Sequence, residues 1–136
     1  MRKAILIAFS ITVAAASAPT AQAALHVVDQ VGLEFQPADL TVDQGDTVRW
    51  VWSGGTHTVT NGTGGDDDDA GTLFDASLTS GSTTFDYVFT AAGTYPYFCR
   101  PHEALGMKGT ITVDETTPVQ PATWGRIKRI FEQTGR

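Results

Sequence analysis

The strongest constraint on this chain is a two-residue rhythm of apolar and polar side chains in short runs, broken again and again by turn-forming residues. Val48, Trp50 and Trp52 alternate with Thr47, Arg49 and Val51; Phe85, Tyr87 and Phe89 alternate with Thr84, Asp86 and Thr90; Ile111 and Val113 alternate with Thr110 and Thr112. Successive side chains of a strand point to opposite faces, so this alternation marks strands with one face on a core. Further candidate strands are Leu25–Val31, Leu33–Gln36, Leu40–Val42, His57–Thr60 and Thr94–Phe98. The segments Asp43-Gln44-Gly45-Asp46, Ser53-Gly54-Gly55, Asn61-Gly62, Ser80-Gly81-Ser82 and Ala92-Gly93 carry the residues that turns require. Seven to eight short strands spaced in this way predict an all-β fold, an antiparallel sandwich or small barrel.

The first residues do not share the rhythm. Met1-Arg2-Lys3 is a short basic start, Ala4 to Ala16 is apolar, and Ala21-Gln22-Ala23 is a small-residue sequence before Ala24. Residues 1–23 therefore predict a secretory signal peptide cut after Ala23, and the protein is expected to be exported to a periplasmic or other extracytoplasmic space. Its apolar run is too short to serve as a membrane anchor. Residues 24–115 are the expected folded domain, and residues 116–136 a linker and tail.

Charge divides the chain along the same lines. The formal charge is −6, yet residues 24–115 hold three basic side chains against fourteen acidic, while residues 116–136 hold four basic against one. An acidic body repels nucleic acid and anionic lipid, which excludes nucleic acid as a partner of the domain and favours cationic proteins or small ligands. The tail reverses the sign. Behind a Thr/Pro-rich linker, Trp124, Ile127, Ile130 and Phe131 stand at helical spacing among Arg126, Lys128 and Arg129, the pattern of a short basic amphipathic helix able to dock on a membrane surface or a protein; Gly125 weakens that pattern, and a frayed tail with no partner is an equal reading. Residues 62–72 form a long loop with four consecutive carboxylates, Asp66 to Asp69. A plain Asp run lacks the alternating ligands and specific turn of a calcium loop, so a solvated loop is expected there.

Export makes the single cysteine conspicuous, because Cys99 has no second cysteine in the chain to pair with. It opens the stretch Cys99-Arg100-Pro101-His102-Glu103-Ala104-Leu105-Gly106-Met107, which sets a thiol, an imidazole and a thioether within nine residues. A loop between two strands, bent at Pro101 and Gly106, can turn all three inward. His57, following the Gly54-Gly55 turn, is the natural fourth donor. Taken singly, these residues have ordinary roles: Cys99 a small buried side chain, His102 a surface histidine, Met107 a core filler, His57 a hydrogen-bonded strand end. Taken together, two imidazoles and a thiolate with a weak axial thioether are the donor set of blue copper; zinc would prefer His, Cys or carboxylate in the fourth place.

The sequence Gly93-Thr-Tyr-Pro-Tyr-Phe-Cys-Arg-Pro-His-Glu-Ala-Leu-Gly-Met-Lys-Gly-Thr resembles the copper loop of the cupredoxins, the plastocyanins and halocyanins in particular. Gly55-Thr56-His57-Thr58-Val59 resembles the motif of the first ligand, and Phe74-Asp75-Ala76 the Phe-Asp-Ser segment after the variable loop. The resemblance covers most of residues 26–114. It implies a cupredoxin-like Greek-key sandwich, one copper ion cycling between Cu(I) and Cu(II), ligands His57, Cys99, His102 and Met107, and one-electron transfer between larger redox partners of cytochrome or copper oxidoreductase type. Thr58 departs from the pattern, since the family commonly carries Asn there to hold the ligand loop beside the sulfur.

The expected protein is a monomeric electron carrier and not an enzyme. The edge of His102, bordered by Pro101, Ala104 and Leu105, is the expected route for the electron. Two other functions use the same residues. Cys99 could act as a nucleophile with a histidine base, but nothing in its loop is placed to orient that base and Met107 would have no role. Alternatively, the four donors could carry or store copper without passing electrons.

Overall fold

The computed structural model describes residues 22–116, so the expected signal peptide before Gln22 and the basic tail beyond Thr116 lie outside the described residues. The described residues form nine strands: β1 Leu25–Val31, β2 Glu34–Gln36, β3 Asp39–Asp43, β4 Thr47–Val51, β5 His57–Asn61, β6 Asp75–Leu78, β7 Thr84–Val88, β8 Gly93–Phe98 and β9 Lys108–Asp114. A short 3-10 helix, Arg100–Leu105, joins β8 to β9. The strand missing from the sequence reading is β6. In Asp75-Ala-Ser-Leu78 only Leu78 is buried, which leaves no apolar alternation to notice.

The strands form two sheets, ordered β2-β1-β4-β7 and β3-β9-β8-β5-β6. Most neighbours are antiparallel as expected, but both sheets are mixed. β1 runs parallel to β4 with Val28 opposite Trp50, and β3 runs parallel to β9 with Leu40 opposite Ile111. Neither of these pairs is a hairpin: each joins strands between which the chain has crossed to the other sheet and returned, so no tight turn imposes the antiparallel sense.

Between the sheets lies a core rich in rings. Trp50 of β4 is fully buried, with its ring centroid 5.3 Å from Tyr97 of β8 at an edge-on 77° and 5.6 Å from Phe85 of β7. Phe74, in the strand-entry segment before β6, packs 4.8 Å from Tyr87. Each buried side chain of this size contributes about 1.5–3 kcal/mol from apolar area removed from water. Cys99 and Met107 belong to the same cluster, at one end of the sandwich. The metal-ligand candidates are therefore an extension of the core and inherit its rigidity.

Candidate metal centre

His57 is the first residue of β5 and is placed by the turn before it. Gly55 takes φ +82°, a left-handed conformation that favours glycine, and a Cβ there would stand 2.9 Å from His57 Nε2. The turn hangs on Gln30, a fully buried polar residue of β1. Its Oε1 accepts the Ser53 N–H at 3.0 Å and the Gly54 N–H at 3.4 Å, and its Nε2 donates to the Gly32 carbonyl at 2.7 Å. The Ser53 hydroxyl donates to the Gln30 carbonyl. Trp52 Nε1 donates to Gly55 O at 2.9 Å and closes the other side.

The other three candidates lie on one loop. Cys99 leaves β8 fully buried, and its N–H donates to the Met107 carbonyl at 3.0 Å. The helix that follows carries Pro101 in its first turn and stops at Gly106, whose φ of 81° turns the chain into β9. Inside it His102 departs from helical geometry, with φ −121° and ψ 16°. Hydrogen bonds from His102 N to Cys99 O and from Met107 N to His102 O fold the loop back on itself. Met107 is fully buried and His57 is 3% exposed, whereas His102 is half-buried and Pro101, Ala104 and Leu105 are exposed.

Three donor atoms converge. Cys99 Sγ stands 3.7 Å from His57 Nδ1 and 3.4 Å from His102 Nδ1, and the two nitrogens are 3.1 Å apart. The point equidistant from all three lies about 2 Å from each, the bonding distance of imidazole nitrogen to a first-row metal ion. Burial, with the His102 imidazole adding to it, holds the pKa of His57 below the ordinary histidine value, although a backbone hydrogen bond at Gly54 opposes this. His57 thus offers a neutral ring with a free lone pair, as a ligand must. Two nitrogen lone pairs and a soft sulfur turned on one point fit a copper ion. His57, Cys99 and His102 form the one such His/Cys/carboxylate cluster among the described residues.

Around the donors runs a second circuit, of which the sequence singled out only Thr58 and not Thr60, Asp75 or Arg100. The Thr58 backbone N–H donates to Cys99 Sγ at 3.4 Å. Its hydroxyl accepts the Arg100 N–H at 2.9 Å and meets Thr60 Oγ1 at 3.1 Å. Thr60 donates to Asp75 Oδ1 at 2.8 Å, and Asp75 receives the Arg100 guanidinium at 2.9 Å. Asp75 only accepts, so the Thr60 proton points to it and the Thr58 proton to Thr60; the circuit starts and ends on Arg100. The Arg100 hydrogen bond, against the opposing effect of burial and with Thr60 adding, holds the Asp75 pKa below the ordinary carboxylate value. Two signals lay in the sequence: Asp75 in the Phe-Asp-Ala segment, and Arg100 directly after the cysteine.

The acidic loop is more ordered than a simple solvated run. Asp66, Asp68 and Asp69 are exposed, but Asp67 Oδ2 accepts the Thr63 N–H at 2.8 Å and its Oδ1 the Asp69 N–H at 3.0 Å. Asn61 pins the loop ends, accepting from Leu73 and Phe74 and donating to Asp69 O. Glu103 of the metal loop accepts the Gly65 N–H at 2.8 Å, joining the two loops.

Comparison with known proteins agrees with this geometry. Residues 21–114 match the family model of copper binding proteins, plastocyanin/azurin family. The plastocyanin of Scenedesmus fuscus is 37% identical over 93 residues, which are 62% of this chain and 91% of that protein. The halocyanin of Natronomonas pharaonis is 35% identical over 85 residues, 61% of this chain and only 50% of that protein. Among solved structures, a mutant plastocyanin of fern superposes with a TM-score of 0.54 at 25% identity, covering 65% of this chain and 99% of that one. An oxidized amicyanin mutant has the same TM-score at 28% identity, covering 65% and 81%. The match to the family model spans more than half of the chain and contains all four candidate ligands, and the chain belongs to the plastocyanin/azurin family of copper-binding proteins.

Proposed function

We propose that this blue copper protein is an exported one-electron carrier shuttling between larger redox proteins, with His57, Cys99 and His102 as copper ligands and Met107 as the weak fourth. The observation that carries the reading is an asymmetry within the donor cluster. Cys99 and His57 are sealed in the core, while His102 is half-buried at a surface formed by exposed Pro101, Ala104 and Leu105. A bound copper ion supplies a one-electron couple, Cu(II)/Cu(I). The protein supplies the rest: the core fixes Cys99 and His57, the Thr58 amide orients the sulfur, and burial keeps water from the donors. Donors that cannot move much suit a site that must serve two oxidation states with little rearrangement. The imidazole edge of His102 is the shortest route outward, and the apolar rim around it is the docking patch for a partner.

Several features weigh against the other functions. A nucleophilic cysteine needs substrate access, and Cys99 has none of its surface exposed. A storage protein needs to release its metal, whereas two of the three donors, His57 and Cys99, are sealed in the core. Export accounts for an unpaired cysteine that is kept buried and for the apolar leader.

Adding Cu(II) to the purified apoprotein tests the reading. An intense visible band from thiolate-to-copper charge transfer is expected, bleached by ascorbate and restored by an oxidant over many cycles without loss of metal. A weakly absorbing product would overturn the blue-copper site. A coloured site that sheds its copper on each reduction would make the protein a carrier of the metal instead.

A further inference from the structure

Away from the metal centre, Asp46 is the one buried carboxylate among the described residues, and no lysine or arginine pairs with it. Asp46, between β3 and β4, is 6% exposed. Its Oδ1 accepts the Ala24 backbone N–H at 2.7 Å, and its Oδ2 meets His26 Nε2 at 2.7 Å and the Asp43 N–H at 3.1 Å. The three basic side chains among the described residues are engaged elsewhere: Arg49 with Asp86, Arg100 with Asp75, Lys108 with Glu103. Burial by itself would raise the pKa of Asp46, but the hydrogen bonds from Ala24, His26 and Asp43 together hold it below the ordinary carboxylate value. The carboxylate is ionised, nearly out of water, and set against a backbone nitrogen.

That nitrogen belongs to the residue after the small-residue sequence Ala21-Gln22-Ala23. We propose that hydrolysis of the Ala23–Ala24 bond turns the Ala24 nitrogen into the α-ammonium of the working protein, and that Asp46 is the site built to receive it. The inference rests on the export reading. In the step a water molecule adds its hydroxyl to the Ala23 carbonyl carbon; the C–N bond breaks, and Ala24 leaves as an amine that takes a proton to become the ammonium. Ala23 and Ala24 are both exposed, so a peptidase can reach the bond.

The surroundings are ready for the product. Ala24 O accepts the Thr47 N–H at 2.8 Å, and from Leu25 onward β1 is in register with β4, so Ala24 is fixed by the sheet without help from the residues before it. A contact of 2.7 Å is already at the length of a charge-assisted hydrogen bond. Cleavage adds a positive charge and two further N–H groups at that position. Asp46 also spans both sheets through its backbone: its N–H donates to Asp43 O at the end of β3, and its carbonyl accepts from Phe89 N just beyond β7. The new terminus therefore puts a charge on a clamp that spans the sandwich; a chain with an uncut leader keeps the amide hydrogen bond but lacks that charge.

Two forms of the copper-loaded protein running from Ala24 to Arg136 test the clamp, one with a free amine and one Nα-acetylated, each also made as Asp46→Asn. The groups facing the amine are the Asp46 carboxylate and, across it, the His26 imidazole. The free-amine form is expected to melt several degrees above the acetylated one, with the gap abolished in Asp46→Asn. Its α-amino group is expected to titrate at least one unit above the ordinary value of about 7.7–8.0. Equal melting temperatures together with an ordinary titration would overturn the proposal; should Asp46→Asn not fold, the native pair alone decides. The processing half is read separately, from the mass of the protein recovered after export of the full chain from a bacterial host. A mature chain starting at Ala24 supports it and any other start refutes it, while the in vitro pair reports on Asp46 whether or not export occurs.

Discussion

Thr58 meets the copper-ligand sulfur with its amide and the neighbouring loop with its hydroxyl. The departure from the family's usual Asn therefore leaves the sulfur's hydrogen bond untouched and changes only how the Arg100 end of the loop is tied down. The tie is electrostatic at its root, since Asp75 orders both hydroxyls. An acid whose pKa is depressed on folding stabilises the protein above its unfolded value, about 3.9, and that contribution fades as pH falls through the lower folded value. Both partners are about 40% exposed, so solvent screening limits the cost of Asp75→Asn to about 0.2–1 kcal/mol near neutral pH, with wild-type and variant melting curves converging below about pH 4. Parallel curves down to the acid limit would show that Asp75 contributes no charge. Met107→Leu belongs to the same scale. Loss of a weak thioether donor stabilises Cu(II) less, so the variant is expected to stay blue with a potential raised by about 60 mV, the equivalent of tenfold in relative affinity for the two oxidation states. An unchanged potential in voltammetry would make Met107 a core residue only.

Elements were legible where hydropathy and packing agree. The rhythm of β4, β7 and β9 named their inward residues correctly, because nothing but apolar burial sets their phase. β1 is different. By hydropathy its Leu25, Val27 and Val31 belong inside, yet all three are about half exposed, and the opposite face, with Val28 and Gln30, is buried. The phase is set by Gln30, whose amide is needed to hold the Ser53-Gly54 turn, and a polar requirement of this kind leaves no periodic trace. The metal loop was legible because its donor types are rare and closely spaced; the turn that aims His57 was visible only as a pair of glycines. Gly55→Ala tests that turn. An L side chain at φ +82° is strained and its Cβ collides with the imidazole, so a loss of about 1–3 kcal/mol and an altered visible spectrum are expected. An unshifted spectrum with the same stability would mean that the ligand is placed from β5 alone.

On the scale of the whole molecule, charge and topology remain. Asp66, Asp68 and Asp69 project from a loop that Glu103 links to the metal loop, so an acidic field lies beside the proposed docking patch. If this field steers a cationic partner, the association rate falls as salt rises, since the Debye length is roughly 10 Å at 0.1 M. Changing those three residues to Asn should flatten the salt dependence measured by stopped flow, with colour and potential unchanged. Rates that keep their slope would assign docking to the apolar rim alone. The parallel pairing of β3 with β9 has a different kind of consequence. Residues Asp39–Asp43 must wait for Lys108–Asp114, contacts that are late and entropically dear to close. A chain made from its N-terminus thus cannot complete the five-stranded sheet until β9 has been synthesised, and β9 follows directly on the ligand loop. The copper pocket is consequently among the last parts to take shape, because its loop is framed only once β9 has paired with both β3 and β8.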